Sequence, residues 1–480
     1  MAGGGVLMYS AERSEEIKIV FNKLASSLEK WTEKNKFYYD DMGRYLKFLV
    51  PENQSILFLG SGLGDLLKDL KPSRGVGIDI SPEIVKIAQK RHPRLEFYVG
   101  DIEKLNFPKD YFDIIIMTDI IGYIQDIEET LRSLHKFCHE ETRLIICYFN
   151  YLWEPIIKIA QKYGFAMPRR DINWLSSEDI TGLLYLADFE LVKEEKRLLI
   201  PKKIPIVSNF INSFLAPLPV IKKLCLSEYY ISRPRAITRE KKFSVSIVIP
   251  CKNESGNIED AIKRLPVFGE SQEIIFVEGH SKDNTLDEIK RTIEKYSEKD
   301  IKYFVQEGRG KGDAVRKGFA EAKGELLMIL DADLTVPPED LPKFYRALAT
   351  GKGEFVNGSR LVYPMEKQAM RFLNILGNKL FSLTFTWLLN QRFKDTLCGT
   401  KALSKINYQR IEANREYFGD FDPFGDFDLI FGASKLNLKI LELPIRYRER
   451  TYGSTQIKRF HHGILLARMT LFAFRKLKIC

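Results

Sequence analysis

Two carboxylates, Asp331 and Asp333, directly follow an apolar run over residues 326–330. Such a run is typical of a buried parallel strand, and ligands of parallel sheets bind beyond the carboxyl ends of the strands. Two carboxylates one residue apart repel each other unless a cation lies between them. Because Mg²⁺ and Mn²⁺ prefer oxygen ligands and often join carboxylates to substrate phosphates, the pair predicts a metal–diphosphate site. A solvated loop is the alternative, since Asp-x-Asp also occurs by chance.

A basic, glycine-rich loop at residues 306–313 precedes this strand and opens a helix at Ala314. The amide groups of a helix N-terminus attract anions, and a lysine adds a full positive charge. Lys311 is therefore a candidate ligand for the same diphosphate.

A second glycine-rich turn follows an apolar stretch at residues 55–59 and contains Gly60, Gly62 and Gly64. A turn with so little side-chain bulk lets a ligand approach the backbone. Asp79 ends the next apolar stretch, fifteen residues after the last glycine, where a carboxylate can accept both hydroxyls of a ribose. Taken alone, the glycine spacing is a weak signal.

Apolar stretches alternate with helical patterns in both halves of the chain, which predicts two α/β domains with mostly parallel sheets. A length of 480 residues also exceeds one ordinary core. Prolines at 201, 205, 217, 219 and 234 preclude one long helix between the halves, so that region is predicted to be a structured linker. The predicted domains are residues 1–195 and 243–480, joined by residues 196–242.

Composition narrows the class of protein. Hydrophobic residues make up 45% of the chain, and its six cysteines are scattered without a CxxC pair, which favours a reducing compartment and argues against zinc. There is no signal-peptide pattern and no run of about 18 uncharged apolar residues. We therefore expect a cytoplasmic protein.

Positive charge is concentrated in two segments, residues 201–242 and 441–480, each with nine Lys or Arg against two Glu. No nucleic-acid-binding motif accompanies them, so a nucleic-acid partner is not expected. Both segments also contain apolar clusters, which suits peripheral contact with an anionic membrane surface. A basic solvated surface, and packing of the apolar residues between domains, stay open as alternatives.

Residues 35–195 resemble the class I S-adenosylmethionine-dependent methyltransferases in the order of the glycine turn, Asp79 and the Gly100-Asp101 pair. The resemblance implies that the glycines lie against the methionine end of S-adenosyl-L-methionine. It further implies that Asp79 holds the ribose, and that Asp101 and Ile102 face the adenine. Phe58 stands where the family usually has an acid, and residues 117–123 offer no convincing general base. A domain that no longer transfers methyl groups is therefore the alternative.

Residues 243–460 resemble glycosyltransferase family 2 with a GT-A fold, nearest the dolichyl-phosphate mannosyltransferase and polyprenyl-phosphate glycosyltransferase branch. Seven pieces keep the family's order. They are Val-Ile-Pro-Cys-Lys-Asn-Glu (248–254), Ser-Lys-Asp-Asn-Thr (281–285), Gly-Arg-Gly-Lys-Gly (308–312), Asp-Ala-Asp-Leu (331–334), Asn-Gly-Ser-Arg (357–360), Asp-Thr-Leu-Cys-Gly-Thr-Lys-Ala (395–402) and Gly-Asp-Phe-Asp-Leu (425–429).

This second resemblance implies a role for each group of residues. The metal would be held by Asp331 and Asp333, and the phosphate of a lipid acceptor by Arg360 and Arg371, with Arg448, Arg450 and Lys458 adding positive potential. Asp395 is the preferred residue near the reacting centre, as base or acceptor orienter, and Asp426 and Asp428 compete with it. The residues implied for the nucleotide-sugar are Pro250, Asn253, Glu254, Glu278, Asp283, Lys311 and Asp331.

Both resemblances together imply a fusion of a methyltransferase-like domain with a metal-dependent glycosyltransferase. The donor would be a GDP- or UDP-sugar and the acceptor a polyprenyl phosphate. Glu278-Gly279 stands where the branch usually has two aspartates, so the ribose contact is altered. The alternative is a soluble glycan or natural-product acceptor, with the first domain a non-catalytic cofactor-binding or docking module.

Overall fold

The computed structural model describes residues 3–105, 110–168, 172–235, 241–360, 372–415, 425–448, 450, 452 and 459–478. The chain divides into two compact units, Met1–Arg235 with Lys478–Cys480, and Ala236–Leu477. Each unit has its own seven-stranded sheet. The predicted fold class, two α/β domains, is confirmed.

The first unit is a sheet of order β3-β2-β1-β4-β5-β7-β6, in which only β7 runs antiparallel to its neighbours. Its strands are β1 (Ser55–Leu59), β2 (Arg74–Asp79), β3 (Glu96–Val99), β4 (Phe112–Thr118), β5 (Cys138–Phe149), β6 (Phe189–Arg197) and β7 (Ser227–Pro234). Its helices are α1 (Gly3–Leu24), α2 (Leu28–Lys34), α3 (Lys36–Leu49), α4 (Asp65–Asp69), α5 (Pro82–Arg91), α6 (Ile127–Ser133), α7 (Glu154–Lys162), α8 (Ser177–Leu186) and α9 (Val207–Phe210).

The carboxyl ends of β1, β2 and β4 meet where the strand order reverses, which is where open α/β sheets bind ligands. The sequence fits this geometry locally. Four of the five residues of β1 are buried, and Ser81 caps α5 by accepting from the Ile84 amide, with Pro82 at the first helical position.

Residues 196–242 were predicted to be a linker, and the structure corrects this. Ser227–Pro234 forms β7 between β5 and β6, and the boundary between the units falls after Arg235. Seven of the eight residues of β7 are buried. Lys196 lies opposite Glu228 and Glu190 opposite Arg233, so each charge on β7 has a cross-strand partner on β6.

The second unit is a mixed sheet of order β10-β9-β8-β11-β13-β12-β14. Four neighbouring strands are parallel, β13 is antiparallel to β11 and β12, and β14 is parallel to β12. Its strands are β8 (Val245–Cys251), β9 (Gln272–Glu278), β10 (Asp300–Val305), β11 (Leu326–Ile329), β12 (Phe355–Ser359), β13 (Lys401–Ser404) and β14 (Ile440–Pro444). Its helices are α10 (Ile258–Arg264), α11 (Thr285–Lys295), α12 (Lys311–Glu321), α13 (Leu341–Ala349), α14 (Phe372–Leu389), α15 (Lys405–Ala413), α16 (Asp426–Lys435) and α17 (Arg459–Lys478).

The carboxyl ends of β8, β9 and β11 lie side by side at one end of the strands, as the apolar runs ending in acids predicted. Among the described residues, no helix has the length and hydropathy needed to cross a membrane.

Candidate functional sites

A cavity of about 200 Å³ opens at the carboxyl ends of β1, β2 and β4 in the first unit. It brings together all six residues predicted to bind the cofactor, whose individual roles stay predictions. They are Gly60, Gly62, Gly64, Asp79, Asp101 and Ile102.

The glycine turn gives a ligand direct access to the backbone. Gly60, Gly62 and Gly64 have φ angles of 68°, 53° and 82°, a region in which side chains with a Cβ are strained. A Cβ at Gly62 would meet no described atom within 4 Å, whereas one at Gly60 would collide with the Ile120 side chain. The turn therefore has open space at its centre and close packing at its start.

Asp79 is buried at the end of β2, and its carboxylate accepts from the amides of Gly62 at 3.1 Å and Ser81 at 3.0 Å. Burial raises the pKa of this carboxyl group. Asp101 accepts from the Ser14 hydroxyl at 2.7 Å and from the Glu103 amide at 3.0 Å. Both acids are thus fixed in position at the wall of the cavity.

Two buried polar atoms in the cavity wall, Ser61 Oγ and Gln125 Nε2, have no hydrogen-bond partner among the described residues. Buried polar groups are normally satisfied, so such atoms suit a polar ligand. Together with the open glycine turn and the two acids, they fit S-adenosyl-L-methionine. Phe58 is buried in the same wall and supplies no charge.

The amino-terminal helices form part of the cavity, which the sequence did not predict. Ser14, Ile17 and Phe21 of α1 line it, and the Phe21 and Tyr123 rings meet edge to face with centroids 5.4 Å apart. The alternation of charged and apolar residues over residues 15–46 predicts only a surface helix pair and no cavity wall. The Ile17–Phe21 spacing on one face was the only available signal of burial.

In the second unit, Asp331 and Asp333 lie beyond β11, each beside a basic residue. Lys311 Nζ is 2.5 Å from Asp331 Oδ1, and Arg450 donates to Asp333 at 2.6 Å and to Glu254 at 2.9 Å. The expectation that only a metal offsets the repulsion of the two aspartates is therefore wrong. Burial alone would raise the pKa of Asp331, but Lys311 holds it below the usual value.

The turn at Gly399 packs directly against the ion pair of Lys311 and Asp331. A Cβ at Gly399 would overlap both Lys311 Nζ and Asp331 Oδ2. A side chain at residue 399 would therefore displace Lys311 and Asp331 from their present positions, and the sequence alone offered no reason to assign Gly399 to the site.

The predicted nucleotide pocket lies on the loops after β8 and β9. Glu254 is buried, and burial raises the pKa of its carboxyl group. The carboxylate of Glu278 accepts from the amides of His280 at 3.1 Å and Ser281 at 2.5 Å, so it stabilises the turn that directly follows β9. Of the remaining residues predicted for the pocket, Pro250 lies near the end of β8, and Asn253 and Asp283 lie on the loops after β8 and β9.

Asp395 does not have the surroundings of a general base. Its carboxylate is fully buried and accepts from Arg360 Nε at 2.6 Å and Nη2 at 2.8 Å, and from Asn378 at 2.8 Å. Burial opposes ionisation, yet Arg360 and Asn378 lower the pKa of Asp395 to about 2. An ionised carboxylate held by Arg360 suits the predicted role of acceptor orienter better than that of a base, and the role of Asp395 in the reaction stays a prediction.

The two competing acids also have basic partners. Asp426 lies 2.8 Å from the buried ammonium of Lys401, and Asp428 lies 3.0 Å from Arg415. All three acids predicted to be catalytic are therefore held in ion pairs.

Arg360 was predicted to bind an acceptor phosphate through its fork of donors, but two of those donors are directed at Asp395. Asp395 therefore orients the Arg360 guanidinium, and the contact of Arg360 with an acceptor phosphate stays a prediction. Arg448 is exposed, and its amide donates to Thr335. Arg371 and Lys458, also predicted for the acceptor, lie outside the described residues.

A divalent cation fits the chemistry at the end of β11. Mg²⁺ is commonly bound by one or two carboxylates together with substrate phosphates. Asp331 and Asp333 supply such oxygens and are partly exposed at the sheet edge. Within the described residues there is no group of three or more His, Cys, Asp or Glu that could hold a metal by itself. A metal here would need the donor's phosphates as further ligands.

Two family models match separate parts of the chain. Residues 34–194 match the one described as a methyltransferase domain, and residues 246–404 match glycosyl transferase family 2.

Among similar proteins, a dolichol-phosphate mannosyltransferase from Pyrococcus furiosus is 30% identical over 220 residues, covering 45% of this chain and 59% of that protein. The dolichol-phosphate mannosyltransferase of Saccharomyces cerevisiae is 36% identical over 109 residues, covering 22% and 40%. An undecaprenyl-phosphate 4-deoxy-4-formamido-L-arabinose transferase from Edwardsiella ictaluri is 30% identical over 111 residues, covering 22% and 34%. The chain thus matches less than two thirds of each relative's length. Because the two matched families occupy separate α/β units, the chain is a fusion of a methyltransferase-like domain and a glycosyl transferase family 2 domain.

Proposed function

We propose that the second unit transfers a sugar from a nucleotide-sugar to a polyprenyl phosphate. The observation that carries this proposal is the pairing of Asp395, Asp426 and Asp428 with basic residues. A hydroxyl acceptor needs a base to remove its proton, whereas a phosphate is already anionic. The named relatives act on dolichol phosphate or undecaprenyl phosphate, which supports the same acceptor class.

In the proposed reaction, a phosphate oxygen of the acceptor attacks the anomeric carbon of the donor sugar. The bond between that carbon and the donor's diphosphate oxygen breaks, and the nucleoside diphosphate leaves with the electron pair. Lys311 and Arg450 lie where this negative charge grows, and preorganised positive groups stabilise it.

Asp331 and Asp333 would hold a Mg²⁺ or Mn²⁺ ion, which when bound would neutralise charge on the leaving diphosphate. Asn253, Glu254 and Asp283 would surround the nucleotide, whose GDP or UDP identity is left to experiment. Contact with a membrane surface belongs to this proposal, because polyprenyl phosphates reside in bilayers.

The acceptor class can be tested with a matched pair of lipids. The full chain is incubated with a panel of GDP- and UDP-sugars, Mg²⁺ or Mn²⁺, and either a short-chain polyprenyl phosphate or the corresponding polyprenol. We expect a glycosylated product from the phosphate and none from the alcohol, detected by mass spectrometry. Transfer to the alcohol or to a soluble glycan at a comparable rate would contradict the proposal.

We further propose that the first unit binds S-adenosyl-L-methionine and transfers its methyl group. The open glycine turn and the unpartnered Ser61 and Gln125 atoms support binding. A second candidate is a domain that binds the cofactor without transfer, which Phe58 favours because it removes an acid near the cofactor's amino group. Calorimetric titration of the full chain with the cofactor, followed by a search for methylated product, separates these candidates.

A further inference from the structure

One surface stretch of the first unit exposes several large apolar side chains and is attached to the domain by polar ones. Residues 204–220 contain no charged side chain, and α9 continues into a π-helical turn at Ile211–Leu215. On the inner side, Asn212 Oδ1 accepts from the backbone amides of Leu199 and Ile200 at 2.8 and 2.9 Å. This polar attachment fixes which side of the stretch faces the domain.

The outer side of the same stretch is apolar and open to solvent. Phe210 and Phe214 are 56% and 48% exposed, with ring centroids 5.4 Å apart. Ile206 and Val220 are 85% and 79% exposed. Scattered exposed apolar residues are normal, but a contiguous set on one surface usually marks an interaction site.

Helix α7 adds to this surface. It contains no buried residue, and Ile156, Ile159, Tyr163 and Phe165 along it and just beyond it are each more than half exposed. Their spacing of three and four residues places most of them on one helical face.

Hydrogen bonds link α7 to the residues that flank the 204–220 stretch. At its start, Trp153 Nε1 donates to the Leu224 carbonyl at 2.8 Å. At its end the link is indirect, because Lys34 Nζ donates to the Gly164 carbonyl and Lys202 Nζ donates to the Lys34 carbonyl at 3.3 Å. The two linked segments are together termed the docking surface (residues 151–165 and 202–224).

Basic residues outnumber acidic ones in the docking surface, whose one acid, Glu154, pairs with Lys158 at 2.6 Å. Lysines at 202, 203, 222 and 223 bracket the uncharged stretch, and residues 201–224 contain no acid. Lys222 also pairs with Glu195 at 2.8 Å. An apolar centre with a basic rim matches an anionic lipid surface, where each nearby lysine adds about 1 kcal/mol and aromatic side chains insert at the headgroup level.

We propose that the docking surface binds the methyltransferase-like unit to an anionic phospholipid bilayer. The proposed function explains why a bilayer is needed, since the acceptor resides there, but vesicle binding itself requires no catalysis. Inserted Phe210 and Phe214 would lie at the acyl boundary, and the exposed Lys203 and Lys223 would face lipid headgroups.

The experiment measures co-sedimentation of the full chain with vesicles of phosphatidylcholine alone and of phosphatidylcholine mixed with phosphatidylglycerol. The test variant is Phe210→Ser/Phe214→Ser, and the matched control is Tyr185→Ser/Leu186→Ser, which removes two exposed apolar side chains from α8. We expect binding to the mixed vesicles that falls roughly tenfold or more in the test variant, from the apolar area lost. The control should bind like the wild type, and added salt should weaken binding.

The proposal is overturned if the test variant binds as tightly as the wild type, or if the wild type binds neither vesicle. It is also overturned if sedimentation velocity shows a wild-type dimer that the test variant disrupts while vesicle binding is unchanged, because a second copy would then cover the surface. Sugar transfer to a short-chain acceptor in detergent separates the two proposals. Its absence with intact vesicle binding counts against the proposed function alone.

Discussion

At the scale of single residues, the acids of the second unit differ in how completely basic side chains surround them. Asp331 and Asp333 each contact one basic residue and remain partly exposed at the sheet edge. Asp395 is fully enclosed and saturated by Arg360 and Asn378. The first two can exchange their partners for a metal and a diphosphate, whereas Asp395 is fixed in its ion pair.

We expect Asp331→Asn or Asp333→Asn to reduce sugar transfer by roughly a hundredfold or more, because each would remove a proposed charged ligand of the metal. The fold should persist, since both residues lie in a partly exposed loop. Steady-state turnover with circular dichroism checks this, and Asp300→Asn at the start of β10 is the control. Near-normal turnover in either variant, or wild-type turnover that a metal chelator does not reduce, would contradict the assignment of a metal site.

Asp395→Asn should instead destabilise the fold by about 3–5 kcal/mol, because it leaves the buried Arg360 guanidinium without a counterion. The paired substitution Arg360→Met/Asp395→Leu should recover much of this loss of stability, since apolar residues can replace buried ion pairs at little cost. Urea denaturation measures both. A single variant that is fully stable yet inactive would support the original interpretation of Asp395 as a base.

At the scale of secondary-structure elements, the sequence predicted the parallel strands well, because both faces of such strands are buried and their apolar runs are nearly continuous. It missed β7, since Ser227–Pro234 mixes polar residues with proline and its burial depends on β5 and β6. The basic side chains that pair with the acids of the candidate site could not be predicted from the sequence either. Arg450 and Asp333 are 117 residues apart, and only the sheet topology brings such pairs together.

Strand β14 carries a carboxyl group whose titration should affect stability. Burial raises the pKa of Glu442 to about 7, from a usual value of 4.5. Between these two pH values the folded state retains a proton that the unfolded state has lost. The contribution of Glu442 to the free energy of unfolding is therefore fully present below about pH 4.5 and is lost as pH rises through about 7. We expect Glu442→Gln to match the wild type at low pH and to be more stable at pH above neutrality, by up to about 3 kcal/mol.

Denaturation of Glu442→Gln and wild type across this pH range checks the expectation, with Glu412→Gln on α15 as a control. A stability difference that stays constant with pH would show that Glu442 titrates normally.

At the scale of the whole molecule, each unit has a complete sheet and its own candidate site. The boundary after Arg235 assigns β7 to the first unit, so a separation at residue 195 would cut β6 and remove β7, the strand that joins β6 to β5. Any experiment that asks whether the sites act independently should therefore use point substitutions in the full chain.

Asp79→Ala tests that independence. Asp79 lines the cavity of the first unit and accepts from the Gly62 and Ser81 amides, so its loss would remove the predicted ribose partner and loosen the glycine turn. Lost hydrogen bonds of about 1–3 kcal/mol should weaken S-adenosyl-L-methionine binding by roughly tenfold or more. Sugar transfer to a short-chain polyprenyl phosphate should not change, because Asp331 lies at the edge of a separate sheet. Calorimetry and the transfer assay measure both quantities, with Asp69→Ala on α4 as the control. A parallel fall in sugar transfer in a folded Asp79→Ala protein would show that the two sites are coupled.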